Sequence, residues 1–165
     1  MVKVVLVPVR YSFKQKFSVP VDEAFAWSVD YDPNDFALMG QKGTRKITKV
    51  AEDTFILNDI RMTEKGPVEK TRLIRLNPER RAFTNTHITG PTLHSQFWYE
   101  FVPEGKDRSR LEFTGLLLYP SDKPLSRAEV KSLAAGEKRG DSQIWVNLAK
   151  AMESDYKKKK KSRGR

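Results

Sequence analysis

Few residues in this 165-residue chain have the types and spacing to do chemistry: His87, His94, Arg75, Tyr99 and Asn58. With no Cys there is no thiolate nucleophile, no thiolate metal site and no disulfide. His87 and His94 are the chain's two histidines, and a tight turn at Gly90-Pro91 would pair them across neighbouring strands. Paired imidazoles can begin a metal site. Here the expected neighbour is Lys70, on the outer face, and no carboxylate completes a ligand set. We therefore expect no metal and no cofactor. Arg75 is the lone charge predicted inside. A ligand carboxylate or phosphate would pair a buried guanidinium; the alternative is a place near the sheet end, in reach of water. Tyr99 and Asn58 could orient a ligand or act in acid–base steps, but Tyr is a poor base at its ordinary pKa near 10. No inner Asp, Glu or His accompanies Tyr99, except Glu69 at the rim. The balance leans against an enzyme, and no catalytic residue is assigned.

The elements that must position these groups follow from periodicity and turn residues. Tyr11, Phe13, Phe17 and Val19 alternate along a first strand, which residues 2–9 extend or precede as an apolar arm. Pro20 ends it, Val21–Trp27 reads as a short helix with an acidic first turn, and Asp32-Pro33 starts a second that stops at Gly40. Six strands follow, at about 44–51, 54–64, 67–77, 80–89, 92–102 and 109–119, separated by Gly, Pro, Asn and Asp turns. Ser126 and Glu129 form a capping box that opens a long helix to about Tyr156, with Gly136 and Gly140 weakening its middle. The expected class is α+β: a seven-stranded curved antiparallel sheet wrapped around the C-terminal helix, as one domain over residues 1–156. Residues 157–165 form a disordered basic tail.

Tight hairpins assign the faces. A turn at Gly90-Pro91 pairs Thr84 with Phe97 and Thr86 with Ser95; one at Lys65-Gly66 pairs Ile60 with Thr71 and Asn58 with Leu73. The inner face then holds Asn58, Ile60, Thr71, Leu73, Arg75, Thr84, Thr86, Ser95, Phe97, Tyr99, Phe113 and Leu117. With Ile144 and Leu148 of the helix, these are the candidate ligand-binding residues. Small hydroxyls among aromatics suit a cavity with a few orienting groups better than a solid core. Trp27, Phe36, Met39, Trp145 and Met152 would stand at its mouth. The outer face keeps an apolar row, Leu57, Ile74, Phe83 and Trp98, which the arm could cover or a second copy could meet.

This order of elements resembles the START/Bet v 1-like (SRPBCC) superfamily, of the polyketide cyclase/dehydrase and lipid-transport type. The resembling residues are Val19–Phe25, Asp30-Tyr31-Asp32-Pro33, Gly43-Thr44-Arg45, Leu76–Arg81, Trp98–Gly105 and Trp145 with Leu148. The resemblance implies a helix-grip fold and a hydrophobic or amphipathic ligand between sheet and last helix. It leaves a cyclase/dehydrase-type activity open.

Net charge is +10, of which Lys157, Lys158, Lys159, Lys160, Lys161, Arg163 and Arg165 carry +7, leaving +3 for the rest. The basicity thus belongs to the tail. It suits an anionic partner such as RNA, a ribosome or an acidic membrane, without aromatics for base stacking. An interaction protein docking a ribosome or chaperone by tail and outer face is the alternative function. The apolar run at the start is too short for a secretory signal, no segment approaches a membrane span, and the cytoplasm is the expected compartment.

Overall fold

The computed structural model describes residues 4–164. Its elements are β1 (Val5–Phe17), α1 (Val21–Ser28), α2 (Asp35–Leu38), β2 (Gly43–Ala51), β3 (Thr54–Thr63), β4 (Gly66–Asn77), β5 (Ala82–His87), β6 (Gln96–Pro103), β7 (Ser109–Ser121) and α3 (Arg127–Arg163). One antiparallel sheet runs β1-β7-β6-β5-β4-β3-β2. The strands from β2 to β7 form a meander, and α1 and α2 carry the chain from the β1 edge to the β2 edge. This is the helix-grip arrangement.

Local chemistry explains each element. In β1, Val7, Val9, Tyr11, Phe13 and Phe17 are buried in alternation, so the apolar start of the chain extends the strand from Val5 onward. Pro8 is tolerated because β1 is an edge strand. Ser126 caps α3: its hydroxyl accepts from Glu129 N–H at 3.2 Å, and the Glu129 carboxylate accepts from Ser126 N–H at 2.7 Å. Neither Gly136 nor Gly140 interrupts the helix, which is continuous for 37 residues. It also runs past Tyr156, so the basic segment as far as Arg163 is helical rather than a disordered tail. Lys159 Nζ meets Glu23 of α1 at 2.6 Å, and Asp155 accepts from the Trp27 indole at 3.0 Å.

The register differs from the sequence expectation at one decisive place. Between β5 and β6 the chain does not make a tight turn at Gly90-Pro91. His94 N–H donates to His87 O at 2.8 Å and His87 N–H donates to Ser95 O at 2.9 Å, so two residues oppose one. His94 takes the left-handed backbone this bulge requires, φ 68°. The extra residue pairs Asn85 with Phe97 and Phe83 with Tyr99, not Thr84 with Phe97. Strands β3, β4 and β5 therefore turn over as a block relative to β6 and β7. Within that block the β3–β4 turn sits at Glu64-Lys65, pairing Asn58 with Thr71. That two-residue offset leaves faces unchanged.

Leu57, Ile74 and Phe83, expected as an outer apolar row, are consequently core residues, 0%, 1% and 5% exposed. Trp98 alone stays outside, where Arg80 lies 5.5 Å over its ring. The row offered as a meeting surface for a second copy is not there. Aromatic packing fills the β6–β7 end of the core: Trp145 lies against Phe17, Tyr99 and Phe101, and Phe13 stacks on Phe113 at 4.5 Å. Gly115 sits where a Cβ would come within 3.0–3.1 Å of Tyr11, Phe113 and Phe97. Gly115→Ala should cost about 1–3 kcal/mol by overpacking, read as a lower denaturant midpoint at unchanged slope.

Candidate ligand-binding site

Helix α3 leans on β1 and stands away from β3, β4 and β5. The space beneath it holds two adjoining chambers, of about 490 Å3 and 290 Å3. Both are walled by Arg45, Arg72, Asn85, Tyr99, Asp141 and Ile144. The larger chamber opens past Trp27, Leu38, Met39 and Leu148 between α1, α2 and α3. The smaller reaches Lys70, His87, Phe97 and Leu117. A volume of this size suits a small-molecule ligand.

Of the sequence-predicted residues, Phe97, Tyr99, Leu117, Ile144 and Leu148 line this space. Phe113 lies below it, edge-on to Tyr99 at 5.0 Å. Ser95 is buried, but its hydroxyl is taken by Leu118 N–H at 2.8 Å. Asn58, Ile60, Thr71, Leu73, Arg75, Thr84 and Thr86 are on the convex side, because the bulge turns β3–β5 over. There the Asn58 amide donates to Thr71 Oγ1 at 2.9 Å, Ile60 is 42% exposed and Arg75 is exposed. Of the expected mouth residues, Trp27, Met39 and Trp145 border the larger chamber, Phe36 the smaller, and Met152 a separate recess beside α1.

The groups that do face the cavity are Arg45, Asp59, Lys70, Arg72, Asn85 and His87, with Tyr31 and Asp141 opposite. The apolar row was the sequence signal for them. Leu57, Ile74 and Phe83 belong inside by hydrophobicity, and strand alternation then brings Asp59, Arg72, Asn85 and His87 with them.

A buried ionic cluster anchors the β2–β4 side. Arg45 donates to both Asp59 oxygens, at 2.8 and 3.1 Å, and to Asp35 at 2.6 Å. Its guanidinium lies 5.2 Å from the Phe36 ring centre. Arg72 also donates to Asp59. Burial alone would raise the Asp59 carboxyl; hydrogen bonds from Arg45 and the charges of both arginines outweigh it and hold its pKa low. On the helix side, Tyr11 donates to Asp141 at 2.5 Å. Burial pushes the Asp141 carboxyl up, partly offset by that bond. Burial also raises the Tyr99 phenol, so it stays protonated and can donate.

Among the described residues, three buried polar atoms in this wall have no partner: Tyr31 OH, Arg72 Nε and Asn85 Oδ1. All three residues border the larger chamber. An unpaired buried polar atom costs about 1–3 kcal/mol. Tyr31 also has a left-handed backbone, φ 34°, which is strained for a bulky residue. The wall thus offers donors and an acceptor to a polar group on a bound molecule.

No protein-family model matches the sequence, and no curated protein matches it. Solved structures do. The Zhui aromatase/cyclase from a Streptomyces species is 13% identical with a TM-score of 0.74, covering 89% of this chain and 94% of that one. A START superfamily protein from Mycobacterium smegmatis is 15% identical, TM-score 0.64, with 91% and 98% covered. Norcoclaurine synthase from Thalictrum flavum, solved with dopamine and hydroxybenzaldehyde, is 14% identical, TM-score 0.65, with 88% and 87% covered. At these identities the likeness establishes the START/Bet v 1-like fold and no activity.

Proposed function

We propose that this chain, with its START/Bet v 1-like helix-grip fold, binds a hydrophobic or amphipathic small molecule between the sheet and α3. The observation that carries this is the set of unpartnered atoms of Tyr31, Arg72 and Asn85 in the wall of a chamber that combines an apolar part, with Ile74, Phe83, Leu38, Ile144 and Leu148, and a charged rim that includes Asp30, Asp35, Arg45 and Asp141. Apolar burial supplies affinity, and the three polar atoms fix one end of the ligand. The dopamine and hydroxybenzaldehyde bound by norcoclaurine synthase, a structural neighbour, are compatible with this. Native mass spectrometry of gently purified protein, followed by a screen of fatty acids, isoprenoids and aromatic polyketides, tests it. Failure to retain or take up any of them ends the proposal. Asn85→Leu keeps the branched shape but removes the acceptor. It should weaken a ligand that satisfies Asn85 by about tenfold, or ~1.4 kcal/mol, measured by titration calorimetry.

A second reading is a cyclase/dehydrase-type enzyme. The observation favouring it is that Tyr99 and Asp141, both held toward their protonated forms by burial, flank the same cavity. Tyr99 would donate to a substrate oxygen and Asp141 would exchange a proton with it. Conversion of an aromatic-polyketide precursor that survives Asp141→Asn and Tyr99→Phe unchanged would sink this reading and leave binding intact.

A further inference from the structure

Among the described residues lining the smaller chamber, Arg61, Lys70 and Glu137 form no ion pair, and Lys70 is the amine of the three. It stands on β4 directly across from Asp59 on β3 and lines the smaller chamber with His87, Glu137 and Asp141. The nearest cross-strand carboxylate is already engaged, since Asp59 receives Arg45 and Arg72. Asp141 receives Tyr11. Among the described residues Lys70 belongs to no ion pair, unlike Lys14, Lys49 and Lys159 at the surface. An amine buried beside other cations is the recognised setting for a nucleophilic lysine.

We propose that Lys70 is a nucleophilic amine that captures an aldehyde or ketone in this cavity as a Schiff base. The Nζ lone pair adds to the carbonyl carbon, and a proton passes from nitrogen to the new alkoxide, giving a carbinolamine. The carbinolamine takes one proton, from the Asp141 carboxyl or water. Its C–O bond breaks, water leaves, and C=N forms as a protonated imine. Nothing is oxidised or reduced. Burial first, then the charges of Arg72 and Arg61, bring the amine down to about 8. A useful share is therefore free base near neutral pH, where an ordinary lysine has almost none. The groups facing it are Asp59 and Arg61 of β3, Arg72 of its own strand, His87 of β5, Tyr11 of β1, and Glu137 and Asp141 of α3. His87, pushed down to about 3, stays neutral through this range, so Lys70 sets the pH response near 8.

The inference rests on the cavity reading only in that the carbonyl compound must enter. The test exposes the full chain to 4-hydroxybenzaldehyde with sodium cyanoborohydride, whose hydride reduces the imine carbon and fixes the adduct as a secondary amine. Peptide mass mapping should show Lys70 modified about tenfold or more faster than exposed Lys65 and Lys131, with a rate rising through about pH 8. Lys70→Arg should remove that adduct. Binding of the amphipathic anionic dye 8-anilinonaphthalene-1-sulfonate, followed in parallel, reports the cavity. Dye binding with Lys70 no faster than surface lysines overturns the lysine inference alone. Neither dye nor adduct overturns both. Mapping the unaltered chain needs no variant to fold.

Discussion

Asp59→Asn should destabilise this protein by about 3–5 kcal/mol at neutral pH, the cost of leaving buried cations without their counter-charge. Asp59 is 6% exposed and is the carboxylate to which both Arg45 and Arg72 donate. The amide keeps the shape but loses the charge and one acceptor. At about 2–4 °C per kcal/mol for a domain of this size, the midpoint of thermal unfolding should drop by at least about 6 °C. The sign of the pH dependence follows from the low folded pKa of Asp59. Its contribution is present above the unfolded value of about 3.9 and is lost as pH falls through the lower folded value. The penalty of Asp59→Asn should therefore be full at pH 7 and fade in strong acid. Adding Arg72→Met to Asp59→Asn should restore part of the loss, because Arg45 still has Asp35 at 2.6 Å. A variant as stable as the parent at pH 7 would mean the cluster is solvated and contributes little.

Acid should attack the protein through His87. The ring is 5% exposed, tilted against Phe97 at 4.9 Å and within 2.8 Å of Thr92 Oγ1 through Nδ1. Burial, then the charges of Lys70 and Arg72, push its pKa from 6.5 down to about 3. Between those values the unfolded chain binds a proton that the folded chain refuses, so stability falls as pH falls. Over the whole window the loss is on the order of 5 kcal/mol at ~1.4 kcal/mol per unit. Asp30 works against it: burial, then Asp35 and Asp32, raise it to about 6. Its proton is taken up first by the folded state, which favours folding as pH drops from about 6 toward 4. The clean measurement is thus a difference. His87→Gln can keep a hydrogen bond to Thr92 without titrating. The parent should lose stability relative to that variant steadily below pH 6.5 in denaturant unfolding. Parallel curves would refute the assignment.

The element order was readable because each boundary has a local cause. Pro20 ends β1, Ser126 and Glu129 close a capping box, and alternation in Tyr11-x-Phe13 or Phe97-x-Tyr99 marks a strand with one apolar face. The end of α3 was not readable: five consecutive lysines look unfit to pack, yet the helix continues and Glu23 of α1 receives Lys159 across 136 positions of sequence.

The candidate site divided along the bulge. On β6, β7 and α3, the side chains of Phe97, Tyr99, Leu117, Ile144 and Leu148 follow from local periodicity and reach the cavity. On β3, β4 and β5, one added residue at His94 reverses every side chain, and nothing local to those strands announces it. Only the folded sheet decides that Arg72, not Arg75, is the inward guanidinium, and that Asn85 rather than Asn58 is the inward amide. The physical reason is the two-residue period of a strand: composition and alternation determine that one face is buried, but the identity of that face depends on the bulge. The same tertiary step brings Arg45, Asp59 and Asp35 together from three elements, and sets buried His87 and half-buried Lys70 in the chamber beneath α3.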